Sequence, residues 1–452
     1  MKIPIKPHLG TYQWMPAVSD SFLPFNLYIK ETSSDVRVPV TERIVKKNRV
    51  YYKITFADRK YLVTTQRVRS EITLPYEGYR IFDDLADYKA PFVLVNTVDE
   101  PRSEKSQVFQ VRKKLLLAHS VVQDSGGFQL ISSDQTNFID PLKVINSHNK
   151  WADYGVCLDV PAGVFNPTDD ELDRLAKILA LNNKVFDQNK KPGLRLLNVS
   201  HGFTISQRLR FIRTVRNSSS AWCIGGLKSQ FGLGGLIRVN LKTFSAHIMA
   251  AVLESKGENF FHVLGVGSIA QMVVCAAIAK KFGVLVTSDT STWLQAAANC
   301  RLLTENGMVK LESPDLGHQF LPCACKACHQ ARYAYLYRQI PALLEQHNVE
   351  LILRLSRSAN RLVSREDWQG IVPNMIKEYG INASKRNLFR ELSSALRFVQ
   401  SVSKLSDITR QGDFPLAAQK NSLWGTTRRS EALQTKLGAI IRNYSEYHNE
   451  KI

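Results

Sequence analysis

From about residue 91 the chain alternates between short apolar runs and longer stretches whose apolar positions recur every three or four residues. Phe92-Val93-Leu94-Val95-Asn96-Thr97 precedes a helical pattern near Val108 to His119. Val121-Val122 leads into Asp124-Ser125-Gly126-Gly127, and Tyr154-Gly155-Val156-Cys157-Leu158-Asp159 precedes an amphipathic stretch from Asp169 to about Asp187. Arg195 to Ser200, Ala221 to Gly226, Phe260 to Gly267 and Val284 to Thr287 repeat the alternation, with helical patterns near Ile205 to Arg216 and Phe244 to Ser255 among the segments between them. About seven such strands predict a parallel sheet, and the count favours a (β/α)8 TIM barrel over an open sheet. Phe260 to Ala279 is nearly uncharged and long enough to imitate a membrane span. Gly265-Val266-Gly267-Ser268 divides it, so it reads as a buried βα unit.

Residues 1–90 read differently. Tyr51 to Phe56 and Tyr61 to Thr65 alternate around Ala57-Asp58-Arg59-Lys60, the pattern of a β-hairpin. We therefore divide the chain into a β-containing N-terminal region (1–90), a barrel (91–350) and a basic, mostly helical C-terminal region (351–452). In the last, 17 Lys and Arg stand against 9 Asp and Glu. Arg354, Arg357 and Arg361 recur at helical spacing and would form one basic face, solvated or in contact with phosphate.

The formal net charge of +20, from 60 Lys and Arg against 40 Asp and Glu, favours a polyanionic partner, most simply nucleic acid. The start, Met1-Lys2-Ile3-Pro4-Ile5-Lys6-Pro7, has no apolar core of a signal peptide, and a cytoplasmic protein is expected. Cys157, Cys223, Cys275 and Cys300 lie singly and read as reduced thiols. The other three, Cys323, Cys325 and Cys328, fall within six positions. With His347, expected just after a helix from Ala331 to Gln346, they would complete a Cys3His tetrahedron suited to structural Zn2+. His329 is the rival fourth ligand. These residues define an expected zinc subdomain over 318–350.

Polar residues gather where the expected strands end: Asp124, Asp159, Ser200 with His201, Gly225 with Gly226, and Asp289. In a barrel those ends converge on one mouth. Each aspartate has a plainer reading, as a turn residue (Asp124), a buried hydrogen-bonded carboxylate (Asp159) or a helix cap (Asp289). Together they can divide nucleophilic and proton-transfer roles, as in retaining glycoside chemistry.

Asp124-Ser125-Gly126-Gly127-Phe128-Gln129, Ile224-Gly225-Gly226-Leu227, Leu264-Gly265-Val266-Gly267, Ser288-Asp289-Thr290-Ser291 and the Cys323, Cys325, Cys328 cluster with His347-Asn348 occur in this order. Over roughly residues 91–350 the chain resembles the tRNA-guanine transglycosylases, zinc-bearing (β/α)8 barrels that exchange guanine in a polynucleotide for a 7-deazaguanine. The resemblance implies Asp289 as nucleophile and Asp124 as general acid/base. It implies Ser125, Phe128, Asp159, Gly226 and its neighbour Gly225 as contacts to the base. Where the family has Val-Gln-Gly-Gly, this chain has Val199-Ser200-His201-Gly202, which puts Ser200 and His201 at a base-binding position. The Pro-Thr-Arg that follows the bacterial nucleophile is replaced by Trp293-Leu294-Gln295. These departures are most similar to the DNA-guanine transglycosylase (DpdA) branch, which inserts preQ0 into DNA in bacterial and phage systems. The resemblance implies DNA and a free 7-deazaguanine base as partners, and leaves open a helper ATPase and a homodimer. Competing readings are the same exchange on tRNA, a barrel that binds nucleic acid without turnover, and a metal hydrolase. The last needs an open zinc position that Cys3His does not leave.

Overall fold

The computed structural model describes residues 8–18, 36–46, 49–56, 59–64, 71–74, 92–96, 120–127, 130, 138–165, 167–215, 221–224, 240–255, 257–290, 293, 296–297, 301–304, 307–310, 339–364, 386–416 and 427–452. Its main sheet contains β1 (Tyr12–Trp14), β2 (Ala17–Val18), β7 (Phe92–Asn96), β8 (Ser120–Asp124), β9 (Tyr154–Val156), β10 (Arg195–Ser200), β11 (Ala221–Ile224), β12 (Phe260–Val263) and β13 (Leu285–Ser288). The hydrogen-bonded order is β1-β13-β12-β11-β10-β9-β8-β7-β2, and every pair in it is parallel. A parallel sheet is normally covered on both faces, and its strands here are short and apolar as that requires.

The two ends of this order are adjacent in sequence. β1 pairs with β13 and β2 with β7, with only Met15 and Pro16 between them. Met15 N–H donates to the Ser288 carbonyl, and the Pro16 carbonyl accepts from Leu94 N–H. The sheet is strongly curled. The ring centroids of Phe92 on β7 and Phe260 on β12 lie 5.9 Å apart, and Tyr154 on β9 stacks on Phe260 at 4.5 Å. β7 and β12 are five steps apart in the order, so a flat sheet would separate them by roughly 24 Å at about 4.8 Å per strand. All three rings come from first residues of strands, so they pack together at the N-terminal end of the sheet.

The covering helices are α1 (Pro141–Trp151), α2 (Ala162–Phe165), α3 (Asp169–Asn189), α4 (Ile205–Val215), α5 (Leu241–Glu254) and α6 (Ile269–Phe282). α3 begins where the sequence predicts it, because Thr168 and Glu171 cap each other: each backbone N–H donates to the other's side chain. α6 starts at Ser268, whose Oγ accepts from Gln271 N–H, and stops at Gly283, whose φ of 65° favours glycine. The Phe260 to Ala279 stretch is thus a buried strand and helix. Among the described residues, no helix is long and apolar enough to cross a membrane.

The expected hairpin is β4 (Arg49–Phe56) against β5 (Arg59–Thr64). With β3 (Val36–Lys46) and β6 (Glu71–Leu74) these form a second, antiparallel sheet in the order β5-β4-β3-β6. Residues 1–90 therefore also contribute β1 and β2 to the main sheet, which the division at residue 91 does not foresee. A third, two-stranded sheet pairs β14 (Arg301–Thr304) with β15 (Gly307–Lys310).

The boundary at 350/351 needs correction. A single helix, α7 (Gln339–Ser364), runs through it, and His347 lies within the helix rather than after its end. The polar run Gln346-His347-Asn348 reads as a helix terminus, but His347 and Asn348 are on the buried face. Asn348 accepts from Leu303 N–H, and His347 Nε2 donates to the Leu303 carbonyl. α7 also seals the free edge of β1: Asn360 bonds both the N–H and the carbonyl of Tyr12, and Ser356 Oγ accepts from Trp14 N–H. Arg354, Arg357 and Arg361 all lie on its exposed side. The remaining helices among the described residues are α8 (Arg386–Ser401), α9 (Leu405–Arg410) and α10 (Thr427–His448). The expected helix near Val108 to His119 and the 331–338 part of the Ala331 helix lie outside the described residues.

Candidate active site

Three aspartates come off the C-terminal ends of strands, opposite the aromatic cluster. Asp124 is the last residue of β8. Its carboxylate accepts from the backbone N–H groups of Ser125 and Gly126, which lowers its proton affinity. Burial of the carboxyl outweighs this, and the nearby charges of Asp159 and Asp289 add to the rise, so its pKa is pushed up to about 7. Two carboxylates from other strand ends therefore act on Asp124, and the three belong to one site.

The Asp-Ser-Gly-Gly turn is shaped by Asp159. Gly126 has φ of 80°, and a Cβ on Gly127 would meet the Asp159 carbonyl at 2.5 Å and its Oδ1 at 2.9 Å. Only glycine lets the two segments approach so closely. Ser125 is buried, and its Oγ accepts from Gly127 N–H at 3.4 Å, so its hydroxyl is part of the turn.

Asp159 is itself buried and accepts from His201 Nε2 at 2.7 Å. Because a carboxylate only accepts, this bond fixes Nε2 as the protonated nitrogen. His201 is 3% exposed, and its Nδ1 has no hydrogen-bond partner. Ser200 is fully buried, and its Oγ accepts from Arg208 at 3.0 Å. The Arg208 guanidinium also donates to the carbonyls of Ser200 and Gly202 and, through Nε, to His247 Nδ1 at 2.9 Å. His247 Nε2 in turn donates to the Phe414 carbonyl. Leu416 N–H donates to the Phe203 carbonyl, and Asp413 accepts from Ile205 N–H. The loop carrying His201 is thus held from below by Arg208 and from outside by residues 413–416.

Asp289 directly follows β13. Its Oδ1 accepts from Gly265 N–H at 3.0 Å and lies 3.4 Å from His262 Nε2. Tyr12, on β1, bonds Ser288 Oγ through its hydroxyl at 2.6 Å. Burial above all, with neighbouring Cys275 and Asp289 adding to it, holds this phenol well above its usual range, so it stays neutral.

Sequence reasoning did not single out Arg208 and His262. Both carry a signal: Arg208 sits on the otherwise apolar buried face of α4, and His262 is the one polar residue of β12. Phe128, Gly225, Gly226, Cys323, Cys325, Cys328 and His329 lie outside the described residues. Among the described residues no group of three or more His, Cys, Asp or Glu side chains is placed to hold a metal ion. His347, the one expected ligand among the described residues, bonds the Leu303 carbonyl through Nε2, an arrangement of the kind that orients metal-binding imidazoles.

The raised pKa of Asp124 predicts a stability change. Below pH 3.8 its carboxyl is neutral in both folded and unfolded states. As pH rises through about 7 the folded chain must ionise a buried group, and stability is lost, by at most about 4 kcal/mol. Solvent contact at this half-buried residue reduces that figure. Asp124→Asn is expected to raise Tm more at pH 8.5 than at pH 5. Equal shifts at both pH values, in paired thermal melts, would exclude a buried carboxyl of raised pKa.

Comparison with curated proteins gives no match. A model of one protein family, queuine tRNA-ribosyltransferase, matches residues 81–380. That span includes all three aspartates, the cysteine cluster and most of the parallel strands, and leaves out β1 to β6 and the helices beyond residue 380. The chain belongs to the queuine tRNA-ribosyltransferase (tRNA-guanine transglycosylase) family.

Proposed function

We propose that the protein exchanges guanine in DNA for a 7-deazaguanine base such as preQ0, through a covalent aspartyl-glycosyl intermediate. The carrying observation is the coupling of Asp124 to both Asp159 and Asp289 at one end of the sheet. We read that sheet as a closed (β/α)8 barrel in which Tyr12–Val18 serves as one bent strand joining β13 to β7. Its curl and the adjacency of β1 and β2 support this.

Asp289 attacks C1′ of the target nucleotide. The bond from C1′ to N9 breaks, and its electron pair leaves with guanine. Asp124, with a pKa of about 7, is close to half-protonated at neutral pH and can give a proton to the departing base and take one from its replacement. The incoming base then displaces Asp289, and two inversions give net retention. Asp159, held by His201, faces the base; the family resemblance gives base-contact roles to Ser125, Phe128, Gly225 and Gly226. Ser200 supports that pocket through Arg208. In duplex DNA the target must be flipped out, at a cost of a few kcal/mol. Exposed Arg354, Arg357 and Arg361 on α7 would supply salt-sensitive phosphate contacts. Cys323, Cys325, Cys328 and His347 would hold structural Zn2+, which would brace the chain around them.

The family's own description favours a second reading, the same exchange on tRNA. The departure at the glutamine position, Ser200 and His201, leans towards the DNA reading. Radiolabelled guanine or preQ0, offered with duplex DNA and with unmodified tRNA, separates the two. Label entering DNA alone is expected. Label entering tRNA alone would overturn the choice of substrate and keep the chemistry.

A further inference from the structure

His262 is completely buried in β12 between Phe261 and Val263. A buried imidazole needs partners for both nitrogens. The parallel register sets His262 beside Thr287 of β13, and Nδ1 lies 3.0 Å from Thr287 Oγ1. Thr287 Oγ1 also lies 3.3 Å from the Phe261 carbonyl, a more distant acceptor for its single proton. Nε2 faces Asp289 Oδ1 at 3.4 Å. That contact is within ion-pair distance but lacks hydrogen-bond alignment, so Nε2 is a buried polar atom without a hydrogen bond.

The tautomer follows from these neighbours. A bare Nε2 would set its lone pair against those of a carboxylate in a buried pocket. The Asp289 carboxylate favours the tautomer with the ring proton on Nε2, and the Thr287 hydroxyl, which reaches the Phe261 carbonyl at 3.3 Å, then turns its proton to Nδ1.

We propose that His262 is the positioning residue of the nucleophile, an inference that rests on reading Asp289 as that nucleophile. Nε2–H closes onto Oδ1 when the nucleotide enters, joining Gly265 N–H on the same oxygen. Catalytic hydrogen bonds that are long in a free enzyme commonly tighten in the substrate complex. In this proposal both donors hold Oδ1, and Oδ2 bonds C1′. The Oδ2–C1′ bond forms as C1′–N9 breaks, and Oδ1 becomes the ester carbonyl. When the incoming base attacks, the Oδ2–C1′ electron pair returns to the carboxylate, and the two donors stabilise the charge that develops there.

The test combines kinetics with a readout independent of turnover. His262→Phe keeps the ring volume and loses the donor, whereas His262→Gln keeps an N–H. We expect His262→Phe to lower kcat about 10- to 100-fold, with KM for the free base changed less than threefold, and His262→Gln to recover part of the loss. In parallel, 15N-histidine NMR should show an Nε2-bound proton on His262 whose resonance moves in Asp289→Ala. Wild-type kcat in a folded His262→Phe protein overturns the proposal. So does a ring protonated only on Nδ1, or one indifferent to Asp289→Ala. If His262→Phe does not fold, the Gln variant and the NMR signature decide it. Exchange that survives Asp289→Asn would instead remove the nucleophile assignment, and the proposal with it, even where the NMR contact persists.

Discussion

Asp289→Asn is expected to reduce base exchange by about 10^3-fold or more, equivalent to at least ~4 kcal/mol of transition-state stabilisation. It should also leave no glycosyl adduct on a denaturing gel. An amide oxygen can still accept from Gly265 N–H, so the local fold has no reason to change. The amide carries no negative charge and is a far weaker nucleophile at C1′. A second effect follows from the electrostatics. The charge of Asp289 is one of the causes holding the Asp124 pKa near 7, so in the variant that pKa should fall. A titration of Asp124 by carboxyl-selective NMR reads this without any substrate. Undiminished adduct formation would assign the nucleophile elsewhere. An unmoved Asp124 would separate the two carboxylates.

The largest expected loss of stability is at Arg208. Its guanidinium is fully buried, and desolvation pulls its pKa down to about 9, so it remains charged at neutral pH. Four of its contacts are to Ser200 Oγ, the Ser200 and Gly202 carbonyls and His247 Nδ1. Arg208→Met fills much of the volume but strands these acceptors, each at a cost of about 1–3 kcal/mol where no water replaces the donor. A loss of about 3 kcal/mol or more is expected, measured by denaturant unfolding. Because the same bonds shape the His201 loop, KM for the free base should rise in whatever fraction stays folded. A stability change under 1 kcal/mol would mean that water takes over the guanidinium's role.

The parallel strands were legible because each is a short apolar run ended by a turn and followed by a helical period. Their polar terminal residues, Asp124, Asp159 and Asp289, were legible as candidates for the same reason. β1 and β2 were not. Three- and two-residue strands have no periodicity to read, and what makes them strands is pairing with β13 and β7 far along the chain. The continuity of α7 was hidden by His347 and Asn348, polar residues buried against the backbone of β14. The partners of His201 and His262, and the His247 partner of Arg208, were equally out of reach, since tautomer and hydrogen bonding there depend on neighbours 25 to 42 positions away.

The placement of Tyr12–Val18 bears on how this protein fails. One short segment occupies the outer edges of both β7 and β13. Releasing it would bare two parallel edges at once, each apolar and able to pair with a strand of another molecule. Neither β7 nor β13 carries a charged residue or a proline to discourage such pairing. Among the described residues, protection of these two edges therefore rests on the seven residues Tyr12–Val18, far in sequence from the three aspartates.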